Sequence, residues 1–229
     1  GATSMLRKIF FPLLMGVAGC AVLIALGTWQ VQRLTWKTAI LDQITATIIA
    51  PPVALPANPD PVADEYLPVM VSGQIIGAPL SVLVSTADNG AGYRTITAFQ
   101  TDAGRTIAAD FGFLSLDDRG AALPTGQVTL TGNLLWPDEV DNWTPEPDVA
   151  TGIWFARDLP AMATALNAEP ILLVARNIDP VSPTVPMPVG IEGIPNDHLG
   201  YAITWFMLAI GWALMTGLLI FRTLRQKDA

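Results

Sequence analysis

The sequence predicts a membrane protein of the α+β class: two transmembrane helices flanking one antiparallel β-rich domain with one or two short helices. Three observations predict it. Residues 9–28 and 199–221 are apolar runs without a charge, and a helix needs about 20 such residues to cross the hydrocarbon layer. The chain is 51% hydrophobic and 14% charged, against roughly 25% charged in a soluble domain. Between the runs lie segments rich in Val, Ile and Thr, bounded by Gly, Pro and Asp.

Residues 1–4 (Gly1-Ala2-Thr3-Ser4) read as an expression scar before a natural start at Met5. The first transmembrane helix is placed at 9–31. Val17-Ala18-Gly19-Cys20 mimics the small-residue box of a lipidated cysteine, but apolar sequence continues through Leu26, so the segment reads as a span. Gly16, Cys20 and Gly27 share roughly one side of it. The second helix, 199–221, carries Ala209, Ala213 and Gly217 every four residues. Small residues at that spacing let two backbones approach, so the two helices are expected to pack on each other. Basic residues flank the outer ends (Arg7, Lys8, Arg222, Arg225, Lys227), whereas the inner ends carry only Arg33 and Lys37. This asymmetry places both termini, including the tail 222–229, in the cytoplasm and the domain on the opposite, periplasmic side.

The domain is assigned to residues 38–197. Strands are expected at 66–76, 81–85, 93–101, 105–114, 127–135 and 171–175, with a turn at Asp102-Ala103-Gly104. One helix begins after Asp158, a good N-cap, with Pro160 in its first turn. The proline-rich stretches 51–61 and 180–195 read as extended tethers. The domain is acidic, which speaks against nucleic acid.

Candidate chemistry is sparse. Cys20 and His198 are the sole cysteine and histidine, so one chain cannot form a disulfide or a Cys/His metal cluster. No nucleophile–base arrangement is visible, and the chain does not read as an enzyme. His198 stands at the start of the second helix. Counting about 100° per residue, Tyr201, Trp205 and Trp212 fall near its direction. Imidazole beside flat apolar side chains suits a haem; the same residues also suit an interfacial aromatic belt. On the first helix Gln30, Arg33 and Lys37 share a face beside Trp29 and Trp36. They read either as a clamp for an anion such as a propionate, or as contacts to lipid headgroups or the acidic domain. The acidic stretch Asp138, Glu139, Asp141, Glu146 and Asp148 reads as a solvated loop, a calcium loop or a partner surface.

These residues carry a resemblance. Gly27-Thr28-Trp29-Gln30 with Arg33 and Lys37 resembles the end of the first helix of the Surfeit-locus-one family, assembly factors for cytochrome c oxidase. Pro68 to Gly73, Gly92-Tyr93, Gly112-Phe113-Leu114, Trp136-Pro137-Asp138-Glu139 and Trp154-Phe155-Ala156-Arg157-Asp158 continue it. Asn196-Asp197-His198-Leu199-Gly200-Tyr201-Ala202-Ile203-Thr204-Trp205-Phe206 closes it. One departure stands out: the family commonly has Asn-Arg or Asp-Arg where this chain has Asp110-Phe111. The resemblance implies a bacterial inner-membrane protein of the respiratory chain that helps deliver haem a to oxidase subunit I or retain it there. It implies subunit I, assembly intermediates and haem a synthase as partners beside membrane lipid. It also implies transient haem a ligation by His198, with Tyr201, Trp205, Trp29, Gln30, Arg33 and Lys37 around it. A protein-only chaperone that never touches haem, and a two-helix sensor or solute-binding module, are the alternatives.

Overall fold

The computed structural model describes residues 2–226. Gly1 of the expected scar and residues 227–229 of the expected tail, Lys227 among them, lie outside the described residues. In chain order the elements are α1 (Ala2–Ile48), β1 (Val53–Ala54), β2 (Pro68–Thr86), β3 (Gly90–Thr101), β4 (Thr106–Ser115), β5 (Val128–Leu135), β6 (Ile153–Trp154), α2 (Leu159–Leu166), β7 (Glu169–Asp179) and α3 (His198–Arg225). They form two units: a helical unit up to Gln43 and from Glu192, and a β unit over Ile44–Ile191.

Both long helices are apolar enough to cross a membrane, and only 6% of either apolar window is buried. A core helix of a soluble protein would be mostly buried; these present Phe10, Ile24, Leu214 and Leu218 outward, as lipid contact requires. The chain is a membrane protein. Inside the helical unit, α1 and α3 meet along one seam. A Cβ on Gly16 would lie 2.3 Å from Thr216 Cγ2, one on Gly19 2.3 Å from Trp212 Nε1, and one on Gly27 2.7 Å from Phe206 Cε1. The partner number falls as the α1 number rises, so the helices are antiparallel. Pro12, Gly16, Gly19, Cys20, Leu23, Leu26, Gly27, Gln30, Leu34 and Lys37 are among the less exposed positions of α1; on α3 they include His198, Ala202, Trp205, Ala209, Trp212 and Thr216. Steps of four and three alternate on α3, and on α1 as far as Gln30, which is the seven-residue repeat of a left-handed pair. Each glycine costs about 1 kcal/mol of helix propensity relative to Ala; the close approach of the partner helix occupies the space that a methyl would need.

The expected row of small residues joins this seam only in part. Ala209 is buried, but Ala213 is exposed and a Cβ on Gly217 would meet nothing within 4 Å. A strict four-residue step advances about 40° per repeat around a helix of 3.6 residues per turn, so the row drifts off the interface. Ala213 and Gly217 instead line an apolar groove of about 500 Å³ with Leu13, Val17, Ala21 and Ile24.

The β unit is a closed barrel. β2, β3, β4, β7 and β5 pair in that order, and β5 returns to β2. A ring of five strands cannot be antiparallel throughout, because an odd number forces at least one parallel pair. Here β4 and β7 are that pair, with Ala108 opposite Leu172; the other four pairings in the ring are antiparallel as expected. This is the connectivity of OB-type Greek-key barrels. Two further parallel pairings involve the short strands β1 and β6 on β2. The ring closes because β2 serves two neighbours. Pro68–Gly73 runs along β5 and Gly73 onward runs along β3. Expected as two strands, β2 is one strand with a register shift between Ile76 and Leu80, where Gly77 takes φ +70°.

β4 is buried on both faces. Ile107, Ala109 and Phe111 point into the barrel with Val69, Phe99 and Leu173. Ala108 lies in the outer layer, which α2 covers with Leu159, Met162 and Leu166. Asp158 caps α2 as expected, accepting from Ala161 N at 3.2 Å. β7 runs four residues past its expected end, to Asp179, because Asp179 still pairs with Thr129.

Two expectations change. Residues 38–48 are helical, not part of a β segment: Ile40, Ile44 and Ile48 repeat at helical spacing, and Ile48 is buried. The terminal carbonyl of Ile48 needs a partner, and it receives Asn133 Nδ2 at 2.9 Å and Arg176 Nη1 at 3.1 Å. The expected tethers also pack down. Pro56 O accepts from Arg105 Nη1 at 2.7 Å, and Val185 exchanges backbone hydrogen bonds with Phe113. At Gly112 (φ +99°) a Cβ would lie 2.1 Å from Val185 O, so that strap needs glycine beneath it.

Asp110, with a fully buried side chain, anchors the outer layer. It pairs with Arg94 and, at 3.5 Å, with Arg157, and it accepts from Gly112 N at 2.9 Å. Phe111, the next residue, fills the barrel interior. Arg157 also forks onto Glu139, at 3.0 and 2.5 Å, and its backbone N–H donates to the same carboxylate at 3.0 Å. Burial pushes the Glu139 carboxyl up, but the hydrogen bonds and charge of Arg157 outweigh it and hold it below its ordinary value. Burial likewise lowers Arg157, and Glu139 and Asp110 more than reverse that. The acidic stretch is thus partly spent inside the fold: Asp141 accepts from Trp143 N at 2.8 Å and Asp148 from Ala150 N at 3.1 Å.

Two outcomes follow. Gly19→Leu forces Trp212 aside and should destabilise the helix pair by about 1–3 kcal/mol, while Gly217→Leu should not; thermal unfolding in detergent, followed by tryptophan near-ultraviolet dichroism, reads both. A depressed carboxyl stabilises the fold above its unfolded value and loses that contribution as pH falls through the folded one. Stability of the β unit should therefore drop on acidification below the ordinary glutamate value of 4.5, and Glu139→Gln should remove part of that slope in denaturant titrations.

Candidate functional site

The helical unit holds the residues that the sequence singles out. His198 is the first residue of α3, and its N-cap, Asp197, makes no side-chain capping bond. From the seam it reaches Gln30 of α1: His198 Nδ1 and Gln30 Oε1 are 2.8 Å apart, across 168 residues of chain. Among the described residues the other ring nitrogen, Nε2, has no hydrogen-bond partner. Two residues earlier, Asn196 Oδ1 is buried and also without a partner among the described residues. A buried acceptor left bare is costly unless something donates to it.

Arg33 follows Gln30 by about one turn and is exposed on α1. Its guanidinium sits 4.6 Å from the Trp36 ring and 5.9 Å from the Trp29 ring, and both rings are about half exposed. The i, i+4, i+7 spacing of Trp29, Arg33 and Trp36 brings the rings to either side of the cation. Cation–π contact holds the fork in place without neutralising it, so the charge stays free for an anion. Gln30 and Lys37 are half-buried nearer the seam, so the expected common face of Gln30, Arg33 and Lys37 is split.

The expected aromatic stripe also divides. Trp212 turns toward α1, where its Nε1 donates to Met15 O at 3.2 Å, and Trp205 is half-buried at a seam spacing. Tyr201 is 57% exposed and faces outward. The seam takes positions four and seven residues after His198, and the position three after it falls outside. The structure therefore brings His198 to Gln30, and Arg33 to Trp29 and Trp36. It commits Trp205 partly to helix packing. Asn196 and Phe206 were not singled out as site residues. Gly27, which receives Phe206, was the available signal.

Comparison with known proteins places this arrangement. The family model of the SURF1 family matches residues 17–210, which includes Gln30, Arg33 and His198. Surfeit locus protein 1 of Homo sapiens is 32% identical over 212 residues, covering 80% of this chain and 69% of the human protein. That of Rattus norvegicus is 30% identical, covering 82% and 69%. A bacterial relative, the SURF1-like protein of Rickettsia prowazekii, is 30% identical over 203 residues, covering 82% and 81%. With two spans flanking one β barrel and the match running through both helices, this chain belongs to the SURF1 family.

Proposed function

We propose that this protein is an assembly factor for haem-copper cytochrome c oxidase that assists delivery of haem a to subunit I, or its retention there. Family membership supports the assembly role, and the His198–Gln30 pair supports the haem. The observation that carries the reading is that one imidazole nitrogen is engaged and the other is unengaged, the state of a metal-ligating histidine. The donor set fits. His198 would hold the iron through Nε2, Arg33 would meet a propionate, and Lys37 stands one turn further on. Trp29, Tyr201 and the exposed part of Trp205 would supply apolar walls. When bound, haem a would supply an iron centre that an imidazole can ligate; the chain's own work would be to hold and orient it.

The basic flanks Arg7, Lys8, Arg222 and Arg225 support a topology with both termini in the cytoplasm and the barrel in the periplasm of a bacterial inner membrane. Partners on this reading are subunit I, its assembly intermediates and haem a synthase. A protein-only chaperone is favoured by one observation, the apolar groove bearing Ala213 and Gly217, which would admit a foreign helix.

Purified from cells that make haem a, the parent protein should show a haem a Soret band. His198→Ala should lose it, with haem content reduced at least tenfold and the helix content by circular dichroism unchanged. Arg33→Ala should weaken binding less, since the iron bond survives. Equal haem per chain in the parent and His198→Ala would replace this reading with the protein-only chaperone.

A further inference from the structure

Gln30 and His198 touch because of the register of two helices, not because of local sequence. A neutral imidazole carries one proton, and a carboxamide oxygen only accepts. The 2.8 Å contact between Gln30 Oε1 and His198 Nδ1 therefore requires the proton on Nδ1 and leaves the Nε2 lone pair bare. A free histidine side chain in water prefers the opposite tautomer, with the proton on Nε2. Nothing local fixes the ring, since Asp197 makes no side-chain capping bond. Gln30 itself is held, half-buried on the α1 seam between Leu26 and Leu34.

The geometry points to Gln30 as a positioning residue: it selects the Nδ1–H tautomer of His198 and aims the bare Nε2 outward as the coordinating atom. This rests on the haem reading for what Nε2 takes up, but not for the tautomer. It also separates Gln30 from Arg33. Arg33 is available to a ligand's anionic edge, whereas Gln30 acts through the imidazole and touches no ligand. A hydrogen-bond acceptor behind a ligating histidine fixes the ring and raises its basicity, and its loss typically costs 10–100-fold in metal affinity.

The test uses the full chain in lipid nanodiscs with ring-¹⁵N histidine, at a pH where the imidazole is neutral. His198 is the sole histidine, so the spectrum holds a single imidazole. The ligand-free parent should show its proton on Nδ1. Gln30→Leu should move it to Nε2 and weaken binding of ferric haem a at least tenfold. Gln30→Glu, a stronger acceptor, should keep the proton on Nδ1 and keep the haem. It should also lower the reduction potential of that haem below the parent's, a shift that a merely structural contact would not produce. A proton on Nε2 in the parent overturns the assignment, because Gln30 would then be donating. So does Gln30→Leu binding haem a within twofold of the parent, or Gln30→Glu leaving the potential unmoved. If the parent takes up no haem a, the haem reading fails by itself, and the nitrogen spectra of the parent and both variants decide the role of Gln30.

Discussion

Two helices that lie far apart in sequence approach closely because α1 offers Gly16, Gly19 and Gly27 to Thr216, Trp212 and Phe206 of α3. Everything proposed for the site depends on that approach. Without it the carboxamide of Gln30 and the imidazole of His198 have no reason to meet. Lipid supplies no hydrophobic force between helices, so close packing and interhelical hydrogen bonds must hold the pair. The seam contains both: glycines that remove side-chain bulk, and polar contacts from Trp212 to Met15 O and from His198 to Gln30. The site is an outgrowth of the packing rather than an addition to it.

The β unit answers a different constraint. A closed five-strand ring pairs each of its strands on both sides, with only the two-residue strands β1 and β6 added outside it. Closure demands one strand long enough to pair with two neighbours, and β2 fills that role. It also leaves β4 buried on both faces, so Asp110 has no water to turn to and must find cations within the fold. Arg94 and Arg157 supply them. Replacing one partner of such a buried pair costs more than the pair contributes.

Much of this was legible in the sequence, for identifiable reasons. The two spans follow from uncharged length, and α2 follows from Asp158 and Pro160. The strands follow from alternation, and their ends moved by a few residues. What was not legible depends on partners distant in the chain. The parallel β4–β7 pair follows from ring closure, which no local pattern encodes. Residues 38–48 carry a helical repeat of isoleucines that the charge-bounded apolar run overshadowed. Two-residue strands such as Ile153–Trp154 have no period to detect. At the site, His198, Gln30 and Arg33 were visible as residue types at one depth. Their division of labour was not, because a step of 100° per residue cannot say where the seam falls. Once the seam is known, Tyr201 faces outward and Trp205 falls on a half-buried seam position.

The register of α1 against α3 underlies the site, and the chain carries its own probe of it. Cys20 is the sole cysteine, and its Sγ lies 3.7 Å from Ala209 O. Introducing Ala209→Cys and, separately, Ala202→Cys gives two single-pair proteins for oxidative crosslinking in membranes, read by the gel shift of thiols left free to react with a bulky maleimide. Bridging to position 209 should be rapid and intramolecular, with none to position 202, two helical turns away. Bridging to 202, or none to 209, would contradict the register and with it the contact between Gln30 and His198.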